Sequence, residues 1–494
     1  MGTRQKWFGM TNFIQYGDRE GSIYRAGFCR SPPPKEDSSL HSGLVLLKIV
    51  ENKNHVEKEE EMIKKLRFPI LAIFFSLGLI FTHPGSSMGV DDVKVGVVLP
   101  MTGGLAHSGA QLKTGAELAV EDINAAGGIK SMGGAKIKLI VGDSKSSADG
   151  GAAETERLIT LEKVSALLGS MQSSVVFVGT QIGEKYKVPW LVVASVKDEI
   201  TERGFKYTFR DRNKTFNDVE EILKAVELFS KKTGKKPTNY GMLYEGGDWG
   251  RSNTKDMKII FGKAGYKLVV EDFFPLGTVD FSSQLLKIKA AKPDMLFLCA
   301  FTPEHIIFQK QQMQQKLHCP FGLWTLGSGG EDPVLYKSVP KESLEYMFVQ
   351  EDWDIHAVKK FWFPSLDKRA RAKNIEGGFM VYVAEMYGHM NLLYDALERA
   401  ASGDGVKLQA ALKATDISTE KCGPSERKID GKPYCASLVR GHSKIKFDEK
   451  NENPFAHGFI SQVQKDGERI YFWPGENQPA GAQLAWPIPP WGKR

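Results

Sequence analysis

The chain lacks a segment long enough to cross a bilayer as a helix. Its apolar run, Phe68 to Phe81, has 14 residues, against the roughly 20 that a transmembrane helix needs. From Val90 onward it also lacks the G-x-S-x-G elbow of serine hydrolases, the H-E-x-x-H zinc helix and the C-x-x-C redox pair, so these common enzyme signatures are missing. Ten histidines are scattered without metal-ligand spacing, and a lone one such as His107 or His389 reads as structural; neither metal nor cofactor is expected. Charge of one sign is missing too. Lys and Arg number 66 against 59 Asp and Glu, and without residues 1–90 the balance is 54 against 50. With no concentrated basic patch and no interleaved aromatics, nucleic acid is excluded as an expected partner.

Cysteine is scarce, five in 494 residues. None comes after the apolar run closely enough to carry a lipid anchor. The four beyond Cys29 allow three pairings. Cys422 and Cys435 flank a loop rich in Gly and Pro, and a bridge there would contribute about 3 kcal/mol. Cys299 ends an expected strand and Cys319 precedes the next, so both are expected free and buried.

Residues 1–61 have no sustained apolar periodicity and end in a charged tract, Glu57 to Glu61. Met62-Ile63-Lys64-Lys65-Leu66-Arg67 then leads into the apolar run and a small-residue exit, Gly85 to Gly89. A basic start, a short apolar core and small residues make a secretory signal peptide. Residues 62–89 are therefore expected to be a signal peptide cleaved near Ser87 to Gly89, with residues 1–61 an upstream, non-native extension. The alternative keeps residues 1–61 as a cytoplasmic tail and the run as an anchor.

The mature chain opens on Val93 to Leu99, an apolar β-branched run of the kind buried in a parallel sheet. A turn-rich segment, Pro100 to Gly104, comes next. Leu112, Ala116, Leu118, Ala119, Val120 and Ile123 then recur at helical spacing up to Gly127-Gly128. Strand and helix alternate regularly from there to Phe321–Thr325, in two successive series, which implies an α/β fold with parallel sheets. A long helix is expected over Gly377 to Ala401, and short strands over Ser443–Phe447, His457–Gln464 and Arg469–Phe472. The final Trp486-Pro487-Ile488-Pro489-Pro490-Trp491 fits neither helix nor central strand and is expected to lie along the surface.

The segments Val95-Gly96 to Gly103 and Gly115 to Ile129 resemble the first strand, loop and helix of type I periplasmic solute-binding proteins, in particular the branched-chain amino-acid family of ABC transporters. The resemblance extends over about the last four-fifths of the chain. It implies two Rossmann-like lobes, residues 90–212 with 353–441 and residues 213–352 with 442–494. Their three hinge crossings are expected near Arg210–Phe216, Gln350–Trp353 and Gly441–Lys446. It further implies a periplasmic receptor that takes an amino acid or other small carboxylate and delivers it to an ABC permease, without enzymatic activity. Two alternatives are a periplasmic ligand sensor of the same fold, which would need a downstream transmembrane or effector segment, and an α/β hydrolase, which would need a histidine beside Ser173 or Ser174.

Gly169 to Ser174 ends a strand and opens a helix, where hydroxyls and free N–H groups suit an anion, although such a serine also serves as a helix cap. The resemblance places the ligand's carboxylate on Ser173 and Ser174, with Ala194 and Ser195 as a second contact. Trp249 stands where the family packs a Tyr on the ligand, and Phe301 matches an aromatic that lines the cleft; Glu304 is expected to cap its helix. Tyr382 is a further aromatic candidate. Two departures matter: position 108, often Tyr, is Ser108, and the acid that would neutralise an ammonium is displaced to Glu331, with Ser328 nearer its usual place. These departures favour a bulky ligand, an aromatic carboxylate without an amine among them. N-terminal sequencing of exported protein is predicted to begin close to Val90; recovery of a chain that retains Met1 to Glu61 would contradict the signal-peptide reading.

Overall fold

The computed structural model describes residues 90–353, 360–474, 479 and 481–494. The expected upstream extension and signal peptide, residues 1–89, lie outside the described residues. Within them, no helix is long and apolar enough to cross a membrane.

The β-branched run does form a strand, Val93–Leu99, and its side chains from Val95 onward are almost fully buried. It is central in a five-stranded sheet whose order is Ile137–Asp143, Val93–Leu99, Ala166–Gly169, Trp190–Val192 and Thr208–Arg210, all parallel. Helix Ala106–Ala125 packs against the long helix Val381–Ala400. The contact is close at Gly115, where a Cβ would stand 2.3 Å from the Val383 carbonyl oxygen; only glycine fits there.

The second sheet has seven strands, ordered Arg469–Trp473, Phe459–Val463, Phe348–Glu351, Leu323–Leu326, Met295–Cys299, Asn239–Glu245 and Lys267–Phe274. It is mixed rather than parallel throughout: Phe459–Val463 runs antiparallel to both of its neighbours. A tight turn joins the last two strands, and a hairpin can only pair antiparallel.

Three stretches join the sheets. The first runs from Arg210 to helix Thr215–Thr233, and the second comes after Glu351. The third comes later than residues 441–446. Lys444–Lys446 still pairs with Asp416–Ser418 on the first side, and the Arg210 backbone is hydrogen-bonded to Asn451 and Asn453 at 2.9 and 3.0 Å. The passage to the second sheet therefore lies between Asn453 and Phe459, because the edge of the first sheet still has backbone groups to satisfy.

The final stretch is not a surface strap. Trp486 and Ile488 are buried; the Trp486 ring meets Phe321 edge-on at 4.9 Å, and its indole N–H donates to the Lys235 carbonyl at 2.9 Å. A proline-rich segment cannot join the sheet, but its aromatic side chain still fills the core beside Trp324, Phe229 and Phe348. Cys422 and Cys435 are bridged, with Cα atoms 5.5 Å apart, and Cys299 and Cys319 are buried free thiols. Replacing a buried aromatic by alanine costs about 3–5 kcal/mol, so Trp486→Ala is predicted to lower the unfolding free energy by that amount in a denaturant titration. A change under about 0.5 kcal/mol, typical of surface sites, would contradict the anchoring role.

Candidate ligand-binding cleft

Counted from its own first strand, each sheet has the order second, first, third, fourth, fifth before the hairpin is added. Ligands of such sheets lie beyond the carboxyl ends of the strands, where the order reverses between first and third. In the first sheet those strands are Val93–Leu99 and Ala166–Gly169; in the second they are Asn239–Glu245 and Met295–Cys299. The segments beyond these ends converge on one cavity, whose empty space of about 440 Å³ includes open solvent at its mouth.

The first lobe contributes Met171, Ala194, Val196 and Tyr382 to its wall, and the second contributes Trp249, Phe301 and Leu326. Trp249 and Phe301 face each other with ring centroids 4.9 Å apart at 39°, a single aromatic surface assembled from two strand ends. Its floor is charged. Arg212, Asp218, Glu331, Gln350 and Asp352 all line the cavity. Arg212 is paired with Asp352 and, at 3.1 Å, with Glu385, and it donates to the Ala194 carbonyl at 2.8 Å. Burial opposes its charge, but the surrounding carboxylates, Asp352 and Glu385 foremost and then Asp218 and Glu331, outweigh that, so its pKa stands above the usual arginine value. Burial also pushes the Glu331 and Asp218 carboxyls well above the carboxylate range, with Asp352 reinforcing both shifts, and it lifts Glu385 to about 7.

Of the residues singled out in the sequence, the cavity wall brings together Ala194, Trp249, Phe301, Glu331 and Tyr382. Ser195 lies behind it, its hydroxyl donating to the Ser170 and Met171 carbonyls at 2.9 and 3.2 Å. The Ser173 hydroxyl accepts weakly from the Lys197 N–H at 3.4 Å, and Ser174 is half-buried at the start of helix Ser173–Tyr186. Ser108 is buried on helix Ala106–Ala125. None of these four serines lines the cavity. Ser328 opens a 3-10 turn, Ser328–Gly330. That turn comes after Gly327, whose φ of 60° turns the chain sharply, and it carries Glu331 into the wall despite its displacement in sequence. Glu304 does not cap its helix: its carboxylate accepts from the Gly277 N–H at 2.6 Å.

Apart from Glu331, sequence reasoning missed the charged floor. Arg212 and Asp352 fall within the expected hinge crossings, a signal of position without one of chemistry. Asp218 reads as an ordinary acid in the first turn of a helix.

The lobes also meet around the cleft. Lys197 pairs with Asp248 at 3.0 Å, Lys255 with Glu199 at 2.9 Å, and His107 with Asp332 at 3.3 Å.

This architecture matches a known family: the periplasmic binding protein sequence profile covers residues 92–467. The chain belongs to the periplasmic binding protein family. Among curated relatives, it is 27% identical over 408 residues to Leu/Ile/Val-binding protein homolog 7 of Brucella abortus (strain 2308), covering 81% of this chain and 96% of that one. Among solved structures, it is similar to the branched-chain amino acid transporter substrate-binding protein LivJ of Streptococcus pneumoniae, determined with isoleucine (TM-score 0.62, 20% identity, 77% of this chain and 98% of that one). It is likewise similar to a solute-binding protein of an ABC transporter from Rhodopseudomonas palustris BisB5, determined with 3,4-dihydroxy benzoic acid (TM-score 0.63, 23% identity, 77% and 96%). At these identities the two structures establish the shared fold.

The His107–Asp332 contact gives a pH prediction. Its hydrogen bond and charge attraction to Asp332, with Glu376 adding to it, hold the His107 pKa above its ordinary 6.5 against the opposing effect of burial. A raised folded-state value means that the stabilisation is fully present below about pH 6.5 and is lost as pH rises through the raised value. Because the His107 side chain is 40% exposed, screening limits the effect to about 1 kcal/mol or less. Denaturant unfolding of the chain and of His107→Asn is predicted to show a larger difference at pH 6 than at pH 8; equal differences would contradict the contact.

Proposed function

We propose that the chain is the extracytoplasmic receptor of an ABC importer, and that it takes an amino acid or another small carboxylate between its lobes for delivery to a permease. The observation that carries this reading is the cavity itself. It lies where the strand order reverses in both sheets at once, with an aromatic surface on one side and polar groups on its floor. The relatives named for Leu/Ile/Val binding support an amino acid. The structures of this fold determined with isoleucine and with a dihydroxy benzoic acid support a cleft that takes aliphatic amino acids or aromatic acids.

The anion end of the site falls at helix Ser173–Tyr186. No side chain caps its N-terminus, so the first N–H groups, unpaired by helix geometry, stand beside Met171 of the wall and suit a carboxylate. In this reading Ser173 and Ser174 act through their backbone rather than their hydroxyls. Tyr382 and Ala194 close the first-lobe side, and Trp249 and Phe301 take the solute's apolar part.

Calorimetry with leucine, isoleucine, phenylalanine and benzoate is predicted to find at least one tight ligand at one site per chain. Losing the buried indole face removes about 1.5–3 kcal/mol of apolar burial, so Trp249→Ala is predicted to weaken that ligand tenfold or more. Unchanged affinity in the variant would remove the cleft as the site.

A further inference from the structure

Strands Lys267–Phe274, Asn239–Glu245, Met295–Cys299 and Leu323–Leu326 lie side by side and parallel. The segments that lead into them therefore gather at the amino end of the second sheet, away from the cleft. Each of those segments brings lysine. Lys235 and Lys236 precede Asn239–Glu245, and Lys263 precedes Lys267, the first residue of its strand; Lys289 and Lys292 precede Met295–Cys299, and Lys316 precedes Leu323–Leu326. All seven side chains are exposed, and none forms an ion pair among the described residues. The loops are braced beneath them. The Asp294 carboxylate accepts from the Thr238 and Asn239 N–H groups at 2.7 and 3.2 Å, the Lys289 ammonium donates to the Gln315 carbonyl at 2.9 Å, and Lys289, Lys292 and Lys316 rim one hollow. With Asp294 committed to that bracing, Glu227 near Tyr266 and Glu345 near Arg494 offset only part of the charge. No concentrated basic patch was expected from the sequence, yet the parallel order assembles one, because lysines of separate loops share one end of the sheet.

We propose that this end of the second lobe is an interaction surface for a membrane that carries anionic phospholipid, and that it holds the protein against the bilayer while the cleft, at the other end of the same strands, stays open. The surface stands apart from the cleft and does not depend on which solute the cleft takes. The partner follows from the kind of charge. Lysine ammoniums are point charges on flexible stems that meet a phosphate anywhere within reach, whereas one fixed phosphate or carboxylate is better held by an arginine fork. Arg494, at this end, is already engaged: its guanidinium stacks on the Trp491 ring at 3.9 Å and donates to the Pro489 carbonyl at 3.1 Å. A polynucleotide would need a row of exposed aromatic faces between the cations, and Trp491 is half-buried under that arginine while Tyr266 is buried. Seven lysines spread over four loops match a plane of headgroups instead, since each basic side chain near such a surface adds its own attraction.

Flotation of the exported chain with vesicles tests this, using phosphatidylcholine alone and phosphatidylcholine mixed with phosphatidylglycerol. Binding to the mixed vesicles is expected at about 0.1 M salt, at least about tenfold tighter than to the neutral ones. At about 1 M salt the Debye length contracts from about 10 Å to about 3 Å, and the binding is expected to be lost. Each lysine near the surface corresponds to about fivefold in partitioning. A variant with one change per loop, Lys235→Gln, Lys267→Gln, Lys292→Gln and Lys316→Gln, is therefore expected to bind the mixed vesicles at least about tenfold more weakly. A variant that removes four exposed lysines of the first lobe, Lys138→Gln, Lys163→Gln, Lys407→Gln and Lys428→Gln, is expected to stay within about twofold. Equal loss in both variants would assign the effect to net charge and overturn the proposal. No binding to the mixed vesicles at low salt, equal binding to neutral ones, or binding that persists at high salt would overturn it too, and these readings need only the unaltered chain. Soluble polyglutamate that strips the chain from the vesicles at equal charge concentration would mark the partner as an acidic protein and overturn the membrane assignment.

Discussion

One buried guanidinium ties the passages between the lobes to the wall of the cleft. Arg212 lies in the first stretch between the sheets, Asp352 in the second, and Glu385 on the long helix of the first lobe; all three are almost fully buried. The start of the third stretch is drawn in through Asp211, whose carboxylate accepts from the Asn453 amide at 2.7 Å, while Arg440 lies 3.6 Å from the same carboxylate and 3.7 Å from Glu385. Such pairs offset a large desolvation cost only when the geometry is good and the remaining hydrogen bonds are made. Their effect is to fix where the chain passes between lobes. Because Arg212 also donates to the Ala194 carbonyl in the cavity wall, the hinge and the wall depend on the same side chain.

A shared strand order does the rest. Two sheets built alike bring two reversal points face to face, and the loops beyond them have nowhere to go except into one cavity. The aromatic surface needs no long insertion: Trp249 and Phe301 each lie just past the end of a strand, Asn239–Glu245 and Met295–Cys299 respectively. The acidic floor needs a sharper device. Gly327 and the 3-10 turn after it bend the chain so that Glu331 reaches the wall, and that bend adds a further acid to the charged floor.

The fold was legible where periodicity is strong. Val93–Leu99 and the helix after it carry a clear pattern, and the family resemblance they begin is matched by the family profile. Legibility failed where tertiary contacts override local pattern. Nothing in a Trp-Pro-Ile-Pro-Pro-Trp segment says that the first tryptophan enters a core, since its place is set by Trp324 and Phe348 from distant strands. The third passage between lobes lies later than expected because the Arg210 backbone finds its partners at Asn451 and Asn453, some 240 residues away. At the cavity, the strand-end aromatics named from the sequence lie in the wall, whereas nothing in the sequence told which serines at a helix start would face it. Apart from Glu331, the charged floor was hidden because its members come from separate elements, and single acids carry no signature.

The central claim is that the two lobes close on a small solute held between them. Small-angle scattering of the exported chain, without solute and then saturated with whichever amino acid binds most tightly, tests it most directly. The account predicts a smaller radius of gyration on saturation, as hinge closure requires. An unchanged radius with the site demonstrably filled would contradict it.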